Sequence, residues 1–158
     1  MSSNPALDLT STARAYGQGP ALRIDDDVLS YAELDDATAR VAGLLSERGV
    51  GPGDRVGVML PNVPYFAFAY YGVLRAGGVV VPMNVLLKQR EVAFYLGESG
   101  VKLLFAWHEF AEPALRGADQ AGAECVIVTS GELEQARTAR TPRRRARGQG
   151  RARSPSPR

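Results

Sequence analysis

The side chains of this 158-residue sequence with the chemistry for catalysis or metal binding are few and scattered. Asp25-Asp-Asp27 is a carboxylate triplet of the kind that holds a cation. It sits between two short apolar runs, however, and reads as a solvated turn. His108 is the single histidine, so no histidine cluster can hold a metal. Beside Trp107 at the end of an apolar run, it reads as a surface or packing residue. Cys125 lies in Glu124-Cys-Val-Ile-Val128 and reads as a buried strand residue. With no histidine or second cysteine near it in the sequence, it lacks what would activate a nucleophile. Gly17-Gln-Gly19 and Gly49-Val-Gly-Pro-Gly53 have neither GxGxxG nor GxxxxGK[ST] spacing, so they read as turns. Thr129-Ser-Gly131 is too short for a phosphate loop and no lysine follows it. Tyr65, Phe66, Phe68, Tyr70 and Tyr71 crowd one predicted helix and read as packing. The sequence therefore nominates no catalytic, cofactor-binding or metal-ligating residue.

The elements that would position any site follow from pattern. Residues 1–18 read as an irregular lead-in. Ala21–Ile24 and Val28–Ser30 flank the aspartates and predict a small hairpin. Ser30 and Glu33 make a Ser-x-x-Glu capping box, and Leu34, Ala37, Val41, Leu44 and Leu45 repeat at helical spacing until Gly49. Gly51–Asp54 is a turn and Arg55–Leu60 a strand. Asn62 is the predicted N-cap of a helix over Val63–Arg75, apolar almost all round and so expected to bury both faces. Gly77-Gly78 end that helix, and Val79–Val81 is a β-branched strand. Lys88–Leu96 predicts a helix stopped by Gly97 and Gly100, Val101–Trp107 a strand, Glu109–Arg116 a helix and Glu124–Thr129 a last strand. Strand and helix alternating in this way predict an α/β fold with a mostly parallel sheet flanked by helices.

Charge divides the chain. Residues 1–134 carry ten Lys/Arg and seventeen Asp/Glu, a balance of −7; residues 135–158 carry nine Arg and no acid, hence +9. After Leu133 there is no Leu, Ile, Val, Met or aromatic residue, too little apolar surface to offset ordering entropy. A domain over 1–134 and a disordered Arg-rich tail over 135–158 are expected. The tail's vocabulary is also that of a GC-rich coding region read out of frame, so a frameshift is one origin; nonspecific binding to polyanions is another expectation. A specific nucleic-acid partner is not expected, since no aromatics interleave with the arginines. The N-terminus lacks the basic-then-apolar pattern of a signal peptide. The longest apolar stretches fall short of the ~20 residues a membrane span needs. With one cysteine there is no intrachain disulfide, and a cytoplasmic location is expected.

Three segments carry a family resemblance: Leu29-Ser-Tyr-Ala-Glu-Leu34, Gly57-Val-Met-Leu-Pro-Asn-Val-Pro64 and Val73-Leu-Arg-Ala-Gly-Gly-Val-Val-Val-Pro-Met-Asn84. In this order and at these distances they resemble the start of the AMP-forming acyl-CoA synthetases, most like medium- or long-chain fatty acid–CoA ligases, within the adenylate-forming enzymes. The resemblance covers about residues 20–129. It implies part of the N-terminal subdomain of that fold, with Ser30, Glu33, Gly77, Gly78 and Pro82 as scaffold. It also implies ATP-dependent activation of a fatty or other carboxylic acid to an acyl-adenylate and then acyl-CoA, with ATP, magnesium and coenzyme A required by the whole enzyme. The phosphate loop with its lysine, the acid on the ribose, the acid near magnesium and the lysine of the mobile C-terminal domain find no counterpart in residues 1–158. The expectation is an inactive fragment. A non-catalytic interaction module, or one half of a split ligase, remains open.

Overall fold

The computed structural model describes residues 4–24 and 26–130. The expectations for the Arg-rich tail lie outside them.

The chain opens with a helix, α1 (Pro5–Tyr16), where the sequence predicts an irregular lead-in. The side chain of Asn4 accepts a hydrogen bond from the Ala6 N–H, and Pro5 occupies the first helical position, where its missing N–H costs nothing. Asp8 in the first turn and Arg14 in the last suit the helix dipole. Only Ala6 and Leu9 are buried, so the apolar signal is too thin to announce the helix. Strands β1 (Pro20–Ile24) and β2 (Asp27–Ser30) then form the expected antiparallel hairpin. Helix α2 (Tyr31–Glu47) starts on the predicted capping box. The Ser30 N–H donates to Glu33 Oε2 over 2.8 Å, and the Glu33 N–H donates back to Ser30 Oγ over 3.3 Å.

Next come β3 (Arg55–Met59), α3 (Pro64–Arg75), β4 (Val79–Pro82), α4 (Gln89–Ser99), β5 (Val101–Trp107), a 3-10 turn (His108–Phe110), α5 (Ala111–Ala121) and β6 (Glu124–Val128). Three boundaries depart from expectation. Val63, not Asn62, caps α3, with no side-chain bond, because Pro64 fixes the first turn. Gly97 lies inside α4, and Gly100, at φ +60°, ends it in the left-handed conformation. The helix expected over Glu109–Arg116 begins at Ala111 and runs on to Ala121.

Strands β3 to β6 form one sheet in the order β4-β3-β5-β6, every pair parallel. One face is covered by the hairpin, α1, α2 and α3, the other by α4 and α5. The central strands are sealed: Val56, Val58 and Met59 of β3 and Leu104 and Ala106 of β5 have no exposed surface. On the first face α2 and α3 meet at Gly72, against Val41. Arg75 Nη1 donates to Asp35 Oδ1 over 2.6 Å, and Thr10 Oγ1 donates to the same oxygen over 2.8 Å, joining α1, α2 and α3. Asn4 Nδ2 also donates to the Leu74 carbonyl over 2.8 Å.

Candidate functional site

The order of the strands locates the place where a ligand of such a sheet would sit. From β3 the chain passes through α3 to β4 on one side. It then crosses through α4 to β5 on the other side of β3. Helix α3 lies on one face and α4 on the opposite face. The chain thus changes direction between β3 and β5, and in open α/β sheets ligands bind outside the carboxyl ends of the strands at such a switch point.

Residues from three strand ends gather there. Pro61 and Asn62 follow β3, His108 follows β5, and Thr129 and Ser130 follow β6. Tyr65, in the first turn of α3, links them. Its hydroxyl donates to the Ser130 carbonyl over 2.7 Å. Its ring lies against Trp107, with centroids 5.7 Å apart, and edge-on to Phe68, also at 5.7 Å. Trp107 in turn carries His108 at 4.7 Å. Beside this cluster, a shallow cleft of about 170 Å³ opens between the hairpin and the start of α3. Leu22, Arg23 and Ile24 line it from β1, and Asn62, Val63, Pro64 and Phe66 from the other side.

The candidates of the sequence fall in separate places. Asp26 and Asp27 are exposed at the hairpin turn; Asp25 lies outside the described residues. No group of three or more His, Cys, Asp or Glu placed to hold a metal occurs among the described residues. His108 is exposed and rests on Trp107. Cys125 is half-buried rather than buried, because β6 is bonded on one side only among the described residues. Burial pushes its thiol up to about 11, which disfavours the thiolate that a nucleophile requires. The Gly49–Gly53 cluster is a turn, with Gly49 and Gly53 at positive φ. There the Asp54 carboxylate accepts from the Gly51 N–H over 2.8 Å and from Lys102 Nζ over 2.9 Å. The Gly51 bond first, and then Lys102, hold its pKa below the usual carboxylate range. This turn lies at the amino end of the sheet, away from the switch point.

Helix α3 does not bury both faces. Tyr65, Phe68, Ala69, Gly72 and Val73 are buried, whereas Phe66 and Tyr71, packed against the same core, and Tyr70 are only half-buried. Phe66 stacks on Tyr70, and Tyr70 meets Tyr71 edge-on. Sequence reasoning missed Tyr65 as the tie between three strand ends. Its spacing looks like core, and its hydroxyl partner is a backbone carbonyl with no sequence signature.

Comparison with known proteins gives a consistent picture. A family model described as AMP-binding enzyme matches residues 9–157. The chain is 38% identical over 98 residues to the 3-hydroxybenzoate–CoA/4-hydroxybenzoate–CoA ligase of Thauera aromatica, covering 62% of this chain and 19% of that protein. It is 32% identical over 120 residues to a long-chain-fatty-acid–CoA ligase of Escherichia coli, covering 75% and 21%. In fold it is similar to the crystal structure of a benzoate CoA ligase from Burkholderia xenovorans, with a TM-score of 0.77 at 23% identity, covering 94% of this chain and 31% of that one. The chain thus spans about a fifth of the length of these curated relatives. Its sheet and flanking helices match the N-terminal part of adenylate-forming enzymes.

Proposed function

Because this chain belongs to the family of AMP-binding enzymes, we propose that it is scaffold for an acid–CoA ligase, an enzyme that joins a carboxylic acid to ATP and passes the acyl group to coenzyme A. The observation that carries the reading is the parallel sheet with its switch point between β3 and β5, on which the similarity to CoA ligases falls. The chain's own part is positional. Gly77, at φ +77°, turns α3 into β4 against Pro52, and Tyr65 fixes the exit from β6.

The residues described do not fit ATP, magnesium or coenzyme A by themselves. The cleft is lined mostly by apolar residues, no group of three or more His, Cys, Asp or Glu is placed to hold a metal among the described residues, and no lysine adjoins Thr129 and Ser130 in the sequence. No chemical step is therefore assigned to this chain, and alone it is expected to be inactive. A fatty acid is the substrate the family resemblance favours. An aromatic acid is the second reading, favoured by the hydroxybenzoate–CoA ligase among the relatives. No helix among the described residues is long and apolar enough to cross a membrane, and a cytoplasmic site of action is part of the proposal.

The test is a chimera in which this chain replaces the matching segment of the hydroxybenzoate–CoA ligase. ATP–pyrophosphate exchange is measured with hydroxybenzoates and with fatty acids of graded length. Exchange by the chimera, and none by the chain alone, is expected. A monomeric, cooperatively folding chimera that exchanges with no acid would defeat the scaffold reading. Exchange by the chain alone would defeat the claim that its part is positional.

A further inference from the structure

Helix α1 is fastened to the fold differently from the two helices beside it. Of its twelve residues only Ala6 and Leu9 are buried, whereas α2 and α3 seal Leu34, Leu45, Phe68 and Val73 into the core. A helix this short is marginal in water by itself, so its contacts with the fold must hold it. The polar ones gather at the C-terminal end of α3. Asn4 Nδ2 donates to the Leu74 carbonyl over 2.8 Å. Asp35 Oδ1, near the start of α2, accepts from Thr10 Oγ1 over 2.8 Å and from Arg75 Nη1 over 2.6 Å. The same Nη1 lies 3.4 Å from Thr10 Oγ1. One carboxylate thus joins three helices through hydrogen bonds of the stronger, charge-assisted kind. The other end of α1 has a joint of its own. The Gly17 and Gly19 carbonyls accept from the N–H groups of Ala32, over 2.9 Å, and Tyr31, over 3.0 Å. These are first-turn donors of α2, which have no partner inside their own helix. The joint does not depend on where α1 lies.

We propose that α1 is a strap that opens as a unit about the Gly17–Gly19 joint while the sheet stays folded, with Asp35 as its clasp. Elements with few buried apolar contacts are the ones that open locally. Opening withdraws Leu9 from the core of the first face and frees Arg75 and the Leu74 carbonyl, at the end of α3 opposite Tyr65. It breaks no strand pairing, since α1 contributes to none. The proposal concerns the chain's own mechanics and stands whether or not the ligase reading does.

Hydrogen–deuterium exchange of the full chain tests it. The amides of residues 9–16, which are bonded inside α1, should exchange as one group, with protection about tenfold or more below that of Val41–Leu45 in α2 and Val56–Met59 in β3. Asp35→Ala should speed α1 exchange by about tenfold or more, and Thr10→Val by about threefold or more, with the α2 and β3 amides unchanged within about twofold. Thr10→Val is nearly isosteric and keeps the fold readable should Asp35→Ala weaken it. In the double variant, Thr10→Val should add nothing to Asp35→Ala, because the hydroxyl's partner is already gone. Trp107, the single tryptophan, lies on β5 and reports the sheet by its fluorescence. Its emission should be the same in the wild type and in Thr10→Val. Three results would each overturn the proposal: α1 amides as protected as those of β3, α1 exchange unmoved by both substitutions, or α1 and β3 exchange rising in step. A shift of the Trp107 emission in Thr10→Val would do the same, since the strap would then not open apart from the sheet.

Discussion

Replacing Gly72 by alanine sets two effects of opposite sign against each other. Inside a helix, alanine is favoured over glycine by about 1 kcal/mol. A Cβ on Gly72, however, would stand 2.4 Å from Val41 Cγ1, 2.5 Å from Val41 Cβ and 3.3 Å from the Thr38 carbonyl oxygen. Val41 is β-branched and held to one rotamer in a helix, so it cannot swing aside, and α2 and α3 must separate. Overpacking of this kind costs about 1–3 kcal/mol, more when backbone has to move. The net expectation for Gly72→Ala is a loss of up to about 2 kcal/mol, a fall in Tm of up to roughly 8 °C for a domain of this size. Gly43→Ala and Gly97→Ala are the controls. Both glycines lie in helices with nothing within 4 Å of the added carbon, so each should gain up to about 1 kcal/mol. A double-mutant cycle sharpens the argument. Val41→Ala leaves the offending Cβ in place and should not rescue Gly72→Ala, whereas Val41→Gly should. Thermal and urea unfolding followed by circular dichroism reads the wild type, the five single variants and the two double variants. A Gly72→Ala protein as stable as Gly43→Ala would refute the close approach of the two helices.

Two further outcomes follow from the titrating groups. Asp54 has a lowered folded pKa, so the stability it contributes is complete above about pH 4 and is lost as the pH falls through the folded value. The stability gap between the wild-type chain and Asp54→Asn should therefore be widest at pH 7 and close towards pH 3; a gap that widens on acidification would contradict the bonds to Gly51 and Lys102. For Cys125, a thiol pushed up to about 11 is almost wholly protonated at pH 8. Alkylation by iodoacetamide should run about a hundredfold slower than for a free thiol, and urea should restore it. A native-state rate equal to the unfolded one would show that the strand does not shield it.

What the sequence revealed and what it hid divide along physical lines. The Ser30–Glu33 box, the Gly77-Gly78 break and the β-branched run from Val79 are local signals, each settled by residues within one turn of each other, and the structure agrees with them. The α1 helix escaped because two buried residues in twelve make no periodicity; its stability lies in tertiary bonds from Asn4 to Leu74 and from Thr10 to Asp35. Asn62 is a good N-cap by type, yet Pro64 placed the helix start one residue later. The site was least legible. Which side of β3 receives β5 decides where the strand ends converge, and nothing in β3 or β5 alone records that choice. Cys125 was read as buried because its neighbours are those of an inner strand; its position at the rim of the sheet depends on what lies next to it.

The proline at the end of β4 also bears on the order of synthesis. A ribosome delivers β4 well before β6, so the short edge that ends in a proline is finished first, while the apolar β6 is finished last among the four. Exposed strand edges are where half-made sheets capture the wrong chain. Had an apolar strand without a proline been the early edge, it would have waited unpaired through the making of two more helices and two more strands. As built, the apolar β6 joins a sheet whose other three strands are already made.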